Sequence, residues 1–138
     1  MEKIFFISAQ NGTSGSPFKV SLAGITYPDP NYKIYRECSE VYVAEYVSDG
    51  EGTVICGGNE YHIKKGDAYI LPAGMEHNYY SDRNNPWTKK WFNVTGTLVI
   101  NFYLLTALKT EYILRISRQR ICSMSFLIFA LVRRILTE

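Results

Sequence analysis

The stretch Gly66-Asp67-Ala68-Tyr69-Ile70-Leu71-Pro72-Ala73-Gly74-Met75-Glu76-His77 decides the fold. Gly66 permits a sharp turn before a strand, and Asp67 can accept hydrogen bonds from nearby backbone amides and fix that turn. A short apolar strand follows, and Pro72 and Gly74 end it and reverse the chain. His77 then opens the next strand. An inward-pointing imidazole at this position can bind a ligand or a metal inside a β-barrel.

Similar short apolar runs lie on both sides of this stretch, separated by Gly, Pro, Asn and Asp. Residues 40–47 alternate well, so that Val43, Glu45 and Val47 face one side while Ala44 and Tyr46 face the other. The predicted strands are residues 3–7, 18–22, 32–36, 40–47, 53–56, 60–63, 68–71, 77–80 and 89–94. So many short strands at close spacing predict an all-β sandwich or barrel.

The character of the chain changes after about residue 101, because all ten Gly and all five Pro lie before that point. Residues 102–138 also contain no Asn or Asp, and a segment without turn residues is typical of one or two helices. The apolar stretch between Arg120 and Arg133 is shorter than the ~20 residues that a membrane span needs. We therefore expect an N-terminal arm (1–16), a barrel (17–100) and a C-terminal helical segment (101–138), with no membrane partner.

Composition favours one globular domain of 138 residues with a net charge of +2, too small to indicate a nucleic-acid surface by itself. Residues 1–101 carry nine Lys/Arg against eleven Asp/Glu, so this part would repel a phosphate backbone. Cys38, Cys56 and Cys122 are widely spaced and odd in number, which predicts neither a disulfide framework nor a cysteine zinc site. The lack of a recognisable signal peptide adds to the expectation of a cytoplasmic protein.

The pattern G-x5-P-x-G-x2-H at residues 66–77 resembles the second conserved motif of the cupin superfamily, although Ser81 stands where an Asn is usual. This resemblance implies a jelly-roll barrel. The first cupin motif should supply H-x-H followed by Glu, but residues 52–58 contain no histidine and His62 stands alone. Because a metal-dependent cupin needs about three converging ligands, we expect no metal and no other cofactor.

A wider pattern of residues indicates one family within this superfamily. It runs from Tyr27-Pro28 through Arg36, Asp49-Gly50 and the motif above to Asp82-x3-Pro86-Trp87-x3-Trp91. Across about residues 17–100 the chain is similar to the sensor domain of AraC-type transcription regulators. The resemblance implies a barrel that binds a small effector, often a sugar, followed by helices that form a homodimer. It also implies a C-terminal pair of helix-turn-helix units for DNA, which residues 102–138 are too few to contain. That tail is therefore either a dimerisation segment or an aberrant one.

Six residues are candidate ligand contacts. Arg36 can clamp sugar hydroxyls or a carboxylate with its forked donors. The indole rings of Trp87 and Trp91 can stack on the apolar face of a pyranose, and we expect one in the core and Trp91 in the pocket. The full set is Arg36, Tyr46, His77, Tyr79, Trp87 and Trp91, and we expect no catalytic residue among them. His77 has an equally good alternative as a structural histidine bonded to the backbone.

Two alternatives to a sensor remain open. The chain can be a small cupin enzyme, such as a sugar isomerase or epimerase, with His77 and a tyrosine as general base and acid. A transition ion held by both His62 and His77 would favour that reading. The chain can also be a dimerisation fragment that binds no effector. In the sensor hypothesis the Gly- and Ser-containing arm closes over the barrel mouth when the effector binds.

Overall fold

A computed structural model of the chain describes residues 1–6, 17–105 and 113–114, with side chains described up to residue 101. Within these residues the chain forms ten β-strands and one α-helix. The strands are β1 (Glu2–Phe6), β2 (Lys19–Thr26), β3 (Lys33–Arg36), β4 (Tyr42–Asp49), β5 (Glu51–Cys56), β6 (Asn59–Lys64), β7 (Ala68–Leu71), β8 (His77–Ser81), β9 (Thr88–Thr95) and β10 (Ile113–Leu114). The helix, α1, spans Thr97–Leu105.

The strands form two antiparallel sheets that face each other. One sheet has six strands in the order β1-β2-β9-β4-β7-β10, and the other has four in the order β3-β8-β5-β6. Neighbours in a sheet are often distant in sequence, as with β2 and β9, so the connections cross between the sheets. This is the jelly-roll architecture that the sequence predicted.

The inner faces of both sheets meet in one apolar core. Val43 and Val47 of β4 are 2% and 0% exposed, in agreement with the alternation predicted for that strand. Val54 of β5 and the Trp87 indole, which precedes β9, complete the contact between the sheets and are 0% exposed. The core therefore joins the two sheets across the barrel.

A second, smaller cluster lies on the outer face of the six-stranded sheet. Ala44, Phe92 and Val94 are buried there together with Val99 of α1. Val99 thus joins an apolar cluster on the outer face of β9 and β4, which explains why both faces of these central strands carry apolar residues. Because the outer face is buried as well, apolar alternation alone does not show which side of β9 faces the barrel.

The motif at residues 66–77 folds as its residue types predict. Gly66 and Gly74 have φ angles of +92° and +77°, a region that other residues rarely adopt. The Asp67 carboxylate accepts a hydrogen bond from the backbone N–H of Lys64 at 3.0 Å and fixes the first turn. At the second turn, the Gly74 N–H donates to the Ser39 carbonyl at 2.7 Å and ties the turn to the chain before β4.

Apart from the end of β2, the strand boundaries lie within two residues of the predicted ones, and the larger differences are the following. β2 continues to Thr26, four residues beyond its predicted end, because it pairs with β9 along that whole length. The helix starts at Thr97 rather than at residue 101. Ile113 and Leu114 form a strand against β7, which corrects the prediction of an entirely helical tail at these two residues. The start of the predicted arm, Glu2–Phe6, is a strand paired with β2, whereas residues 7–16 lie outside the described residues.

Candidate functional site

A buried ion pair lies at the centre of the barrel. Lys89 of β9 donates through Nζ to Glu45 Oε2 of β4, and the two side chains are 0% and 1% exposed. The Tyr69 hydroxyl of β7 donates to the same carboxylate oxygen at 2.8 Å. Desolvating two charges costs several kcal/mol per ion, and only close pairing with additional hydrogen bonds compensates for it. The arrangement therefore places both charges where neither can be removed without leaving the other unpaired.

Three aromatic rings surround the Lys89 ammonium. Its Nζ lies 4.0 Å from the ring centroid of Tyr79, 4.8 Å from that of Trp87 and 5.0 Å from that of Tyr32. A cation within about 6 Å of a ring face is attracted by the ring quadrupole. Burial lowers the pKa of Lys89, and the nearby Glu45 carboxylate opposes this shift. The rings and the carboxylate together form a cage for one cation inside the barrel.

The cage is connected to the N-terminal strand. Glu2 Oε1 of β1 accepts hydrogen bonds from the Tyr32 hydroxyl at 2.9 Å and from the Thr26 hydroxyl at 2.8 Å. Burial, followed by the nearby Glu45 charge, raises the pKa of Tyr32, so its hydroxyl stays a donor at neutral pH. The first strand therefore contacts the barrel network through one carboxylate.

Arg36 reaches the same network from the barrel rim. Its residue is exposed, but one guanidinium nitrogen donates to the Tyr79 hydroxyl at 3.3 Å. It makes no salt bridge with any described residue. Burial raises the pKa of Tyr79, and the positive Arg36 opposes this effect. A guanidinium with only one hydrogen bond to the described side chains has donors left for recognition of a polar ligand.

His77 pairs with Arg36 across β8 and β3 and is 0% exposed. Its Nε2–H donates to the Pro72 carbonyl at 2.7 Å, which matches the structural alternative considered from the sequence. Burial lowers the pKa of His77, so the ring is neutral and its Nδ1 carries a lone pair. Nδ1 is buried and has no hydrogen-bond partner among the described residues. A buried acceptor of this kind is costly unless a ligand or water satisfies it.

The two tryptophans occupy different environments. Trp87 is 0% exposed and packs so closely against Gly52 that an added Cβ would overlap its ring. Trp91 is only half-buried and lies across Gly24 on the inner face of β9. The Trp91 Nε1 donor is buried without a partner among the described residues. Trp87 therefore lies in the core, as expected for one of the two, and Trp91 lies at a less buried position on the inner face of the barrel.

Tyr46 does not lie with the other candidates. Successive side chains of a strand alternate, and Glu45 and Val47 face the barrel interior. Tyr46 therefore faces outward, on the side where Ala44 packs beneath α1. This corrects its placement among the interior residues. The structure brings Arg36, His77, Tyr79, Trp87 and Trp91 to the inner face of the barrel.

The sequence interpretation did not include Glu45 and Lys89, which hold the centre of the network. One signal was available, because Glu45 occupies the apolar face of an alternating strand between Val43 and Val47. An acidic residue on a buried face needs a partner. The partner, Lys89, is 44 residues away in sequence from Glu45, and the residue next to Lys89, Lys90, has the same charge. Only the strand register distinguishes these two lysines.

The two histidines do not converge on one site. His77 faces the interior, whereas His62 faces outward from β6 and its Nε2 lies 2.9 Å from Glu51 Oε2. Among the described residues, no group of three or more His, Cys, Asp or Glu side chains is placed to hold a metal ion. No helix in the described part of the chain is long and apolar enough to cross a membrane.

Solved structures share the barrel. YhaK from Escherichia coli superposes with a TM-score of 0.53 at 16% identity, over 70% of this chain and 45% of that one. The cupin domain of Cnp3 from Schizosaccharomyces pombe gives 0.51 at 12% identity, over 75% of this chain and 69% of that one. The two-sheet barrel and these likenesses define a cupin-type fold, as the sequence predicted.

Sequence comparison identifies the family within that fold. The family model described as the AraC-like ligand binding domain matches residues 19–132, and the chain belongs to this family. The chain is 35% identical over 72 residues to the lactose operon transcription activator of Staphylococcus xylosus, covering 52% of this chain and 24% of that protein. It is 30% identical over 84 residues to the raffinose operon transcriptional regulatory protein RafR of Pediococcus pentosaceus, covering 59% and 30%.

Those matches confirm the predicted family and extend the similarity beyond residue 100. The matched part of the chain spans about a quarter of the lactose operon activator and less than a third of RafR. The chain is thus an effector-binding domain of the AraC type.

Proposed function

We propose that the chain senses a sugar or a similar polyhydroxylated molecule inside the barrel and controls transcription of genes for its use. Two of the relatives are named as regulators of the lactose and raffinose operons, which supports a sugar as the effector. In this proposal the domain binds its effector and catalyses no reaction of it.

The observation that carries the proposal is the set of unsatisfied polar atoms on the inner face. His77 Nδ1 offers a lone pair and Trp91 Nε1 offers a donor, each buried and without a partner among the described residues. Arg36 adds unused donors at the rim. A sugar hydroxyl both donates and accepts, so one pyranose can satisfy groups of both kinds while stacking on an indole face.

We further propose that the domain forms a homodimer through α1 and that DNA is contacted by other parts of the regulator. Leu98 and Ile100 are 57% and 41% exposed on a helix whose Val99 is buried against β9. These two side chains lie on either side of the buried Val99, and exposed apolar groups at the two edges of a helix favour contact with a second copy. Replacing both with Ser should shift the sedimentation coefficient toward that of a monomer, whereas an unchanged value would contradict this interface.

Effector binding can be tested by thermal shift with lactose, raffinose and their component monosaccharides. A ligand that binds the native state stabilises it by RT ln(1+[L]/Kd), about 2.7 kcal/mol at a hundredfold excess over Kd. We expect at least one sugar to raise the melting temperature. The Arg36→Gln variant should need about tenfold or more sugar than wild type for the same increase. Lys33→Gln is the matched control, because it removes one positive charge from the opposite face of the same strand.

Two outcomes would contradict the proposal. One is the absence of a shift with every sugar up to high millimolar concentration. The other is an equal loss in the Arg36 and Lys33 variants, which would show that general charge rather than the barrel interior determines binding.

A further inference from the structure

A second cavity lies outside the barrel, on the outer face of the four-stranded sheet. It has a volume of about 600 Å³ and forms where β3 begins, β8 ends and the loop of residues 82–84 turns away. Thr53, His62 and Tyr80 are cross-strand neighbours in its wall. Their strand neighbours Val54 and Tyr79 face the interior, so this wall lies on the other side of the sheet from the site described above, and Tyr32 borders both.

The positive charges of this outer pocket are available to a ligand. Lys33 and Arg83 line it, and neither makes a salt bridge with any residue in the described part of the chain. They come from different elements, the start of β3 and the loop after β8. Two cations that converge on one cavity from separate elements attract an anion more strongly than either does alone.

Two carboxylates, Asp82 in the pocket and Glu51 beside it, hold the neighbouring loop. Asp82 Oδ1 accepts hydrogen bonds from the backbone N–H groups of Asn84 at 2.8 Å and Asn85 at 2.9 Å. Glu51, beside the pocket, accepts from the Asn85 amide at 3.1 Å and lies 2.9 Å from His62 Nε2. These contacts hold the loop that carries Arg83, and the two cations outnumber Asp82, the one carboxylate among the lining residues.

We propose that the outer pocket binds a small phosphate monoester, such as a phosphorylated sugar. Arg83 matches phosphate oxygens with paired N–H donors and Lys33 adds a point charge. Thr53 and Tyr80 supply hydroxyl groups and Asn84 an amide for the polar remainder of the ligand. The volume lies within the roughly 300–1,000 Å³ range of small-molecule sites. This inference does not depend on an effector in the barrel.

The test is calorimetric titration of the full chain with ribose 5-phosphate, inorganic phosphate and ribose at low ionic strength. We expect ribose 5-phosphate to bind more tightly than inorganic phosphate, and ribose to bind at least about tenfold more weakly. Lys33→Gln and Arg83→Gln should each weaken ribose 5-phosphate about tenfold or more, as expected for a charge-assisted hydrogen bond. Binding should also weaken at about 1 M salt, where the screening length falls to about 3 Å.

Lys19→Gln is the matched control, since it removes one exposed positive charge from β2 in the other sheet. Unchanged affinity in this variant supports the pocket, and a loss equal to that of Lys33→Gln would overturn it. Arg36→Gln should also leave ribose 5-phosphate affinity unchanged, which separates this site from the barrel site. Equal binding of ribose and ribose 5-phosphate, or no binding of either, would refute a phosphate site. Far-UV circular dichroism of each variant verifies that it is folded.

Discussion

Removing one partner of the Lys89–Glu45 pair should be among the most damaging single changes in the barrel. Lys89→Met keeps the length of the side chain and its contact with the three rings but removes the charge. The Glu45 carboxylate is 1% exposed and would keep only the Tyr69 hydroxyl as a donor. The remaining charge has no route to solvent, so it must be neutralised by a proton or remain unpaired.

The magnitude follows from the burial of both groups. Breaking a buried ion pair by removing one partner costs about 3–5 kcal/mol, whereas replacing both partners often costs little. We therefore expect Lys89→Met and Glu45→Gln each to lower the free energy of unfolding by about 3–5 kcal/mol. The double variant should lose at most about 2 kcal/mol, because the Gln oxygen can still accept from Tyr69 and no charge remains.

Urea unfolding followed by tryptophan fluorescence measures the stability of the wild type, the two single variants and the double variant, which together form a double-mutant cycle. Lys90→Met is the control, since it removes the same charge from the adjacent, outward-facing position and should cost less than about 1 kcal/mol. If Lys89→Met costs no more than the control, or if the two single losses simply add in the double variant, the buried pair does not have the energetic role assigned to it.

Three further predictions follow from single contacts. Burial holds the pKa of His77 below its usual 6.5, so the unfolded chain binds more protons than the folded chain below that pH. The contribution of His77 to stability should therefore be complete above about pH 6.5 and be lost on acidification, and urea midpoints should fall less steeply with pH in His77→Gln than in wild type. Gly24→Ala should lower the free energy of unfolding by about 1–3 kcal/mol, because its Cβ would lie 2.5 Å from Trp91 and 2.8 Å from the Lys3 carbonyl. An unchanged melting temperature would contradict the packing of Trp91 across β2. A sugar that binds inside the barrel should change the fluorescence of wild type more than that of Trp91→Phe, and equal changes would place the sugar elsewhere.

The strands were predictable from sequence because their signals are local. Turn residues such as Gly66 and Gly74 require backbone conformations that few other residues adopt, and they divide the chain into its strands. The strand at residues 40–47 shows the period of two that a half-buried surface requires. Each of the nine predicted strands has a counterpart among β1–β9.

Much of the candidate site was less predictable because it depends on register between distant strands. Tyr46 and Glu45 are adjacent in sequence, and choosing between them requires knowing which face of β4 packs against the four-stranded sheet. The helix is itself placed by contacts of Val99 with β9, which no local pattern reveals. The short strand at Ile113–Leu114 follows the same logic, because its pairing with β7 outweighs a composition typical of helix.

The buried pair also bears on why this barrel has a polar interior at all. Apolar residues of similar volume could fill the same space at little or no cost in stability, so stability alone does not account for Lys89 and Glu45. The effect of Lys89 and Glu45 is to fix the position of a neighbouring side chain. The ammonium lies 4.0 Å from the Tyr79 ring, and the Tyr79 hydroxyl accepts the hydrogen bond from Arg36. The pair therefore holds in place the ring whose hydroxyl orients the Arg36 guanidinium at the rim, and the polar ligand proposed above would need such a support to bind in one orientation.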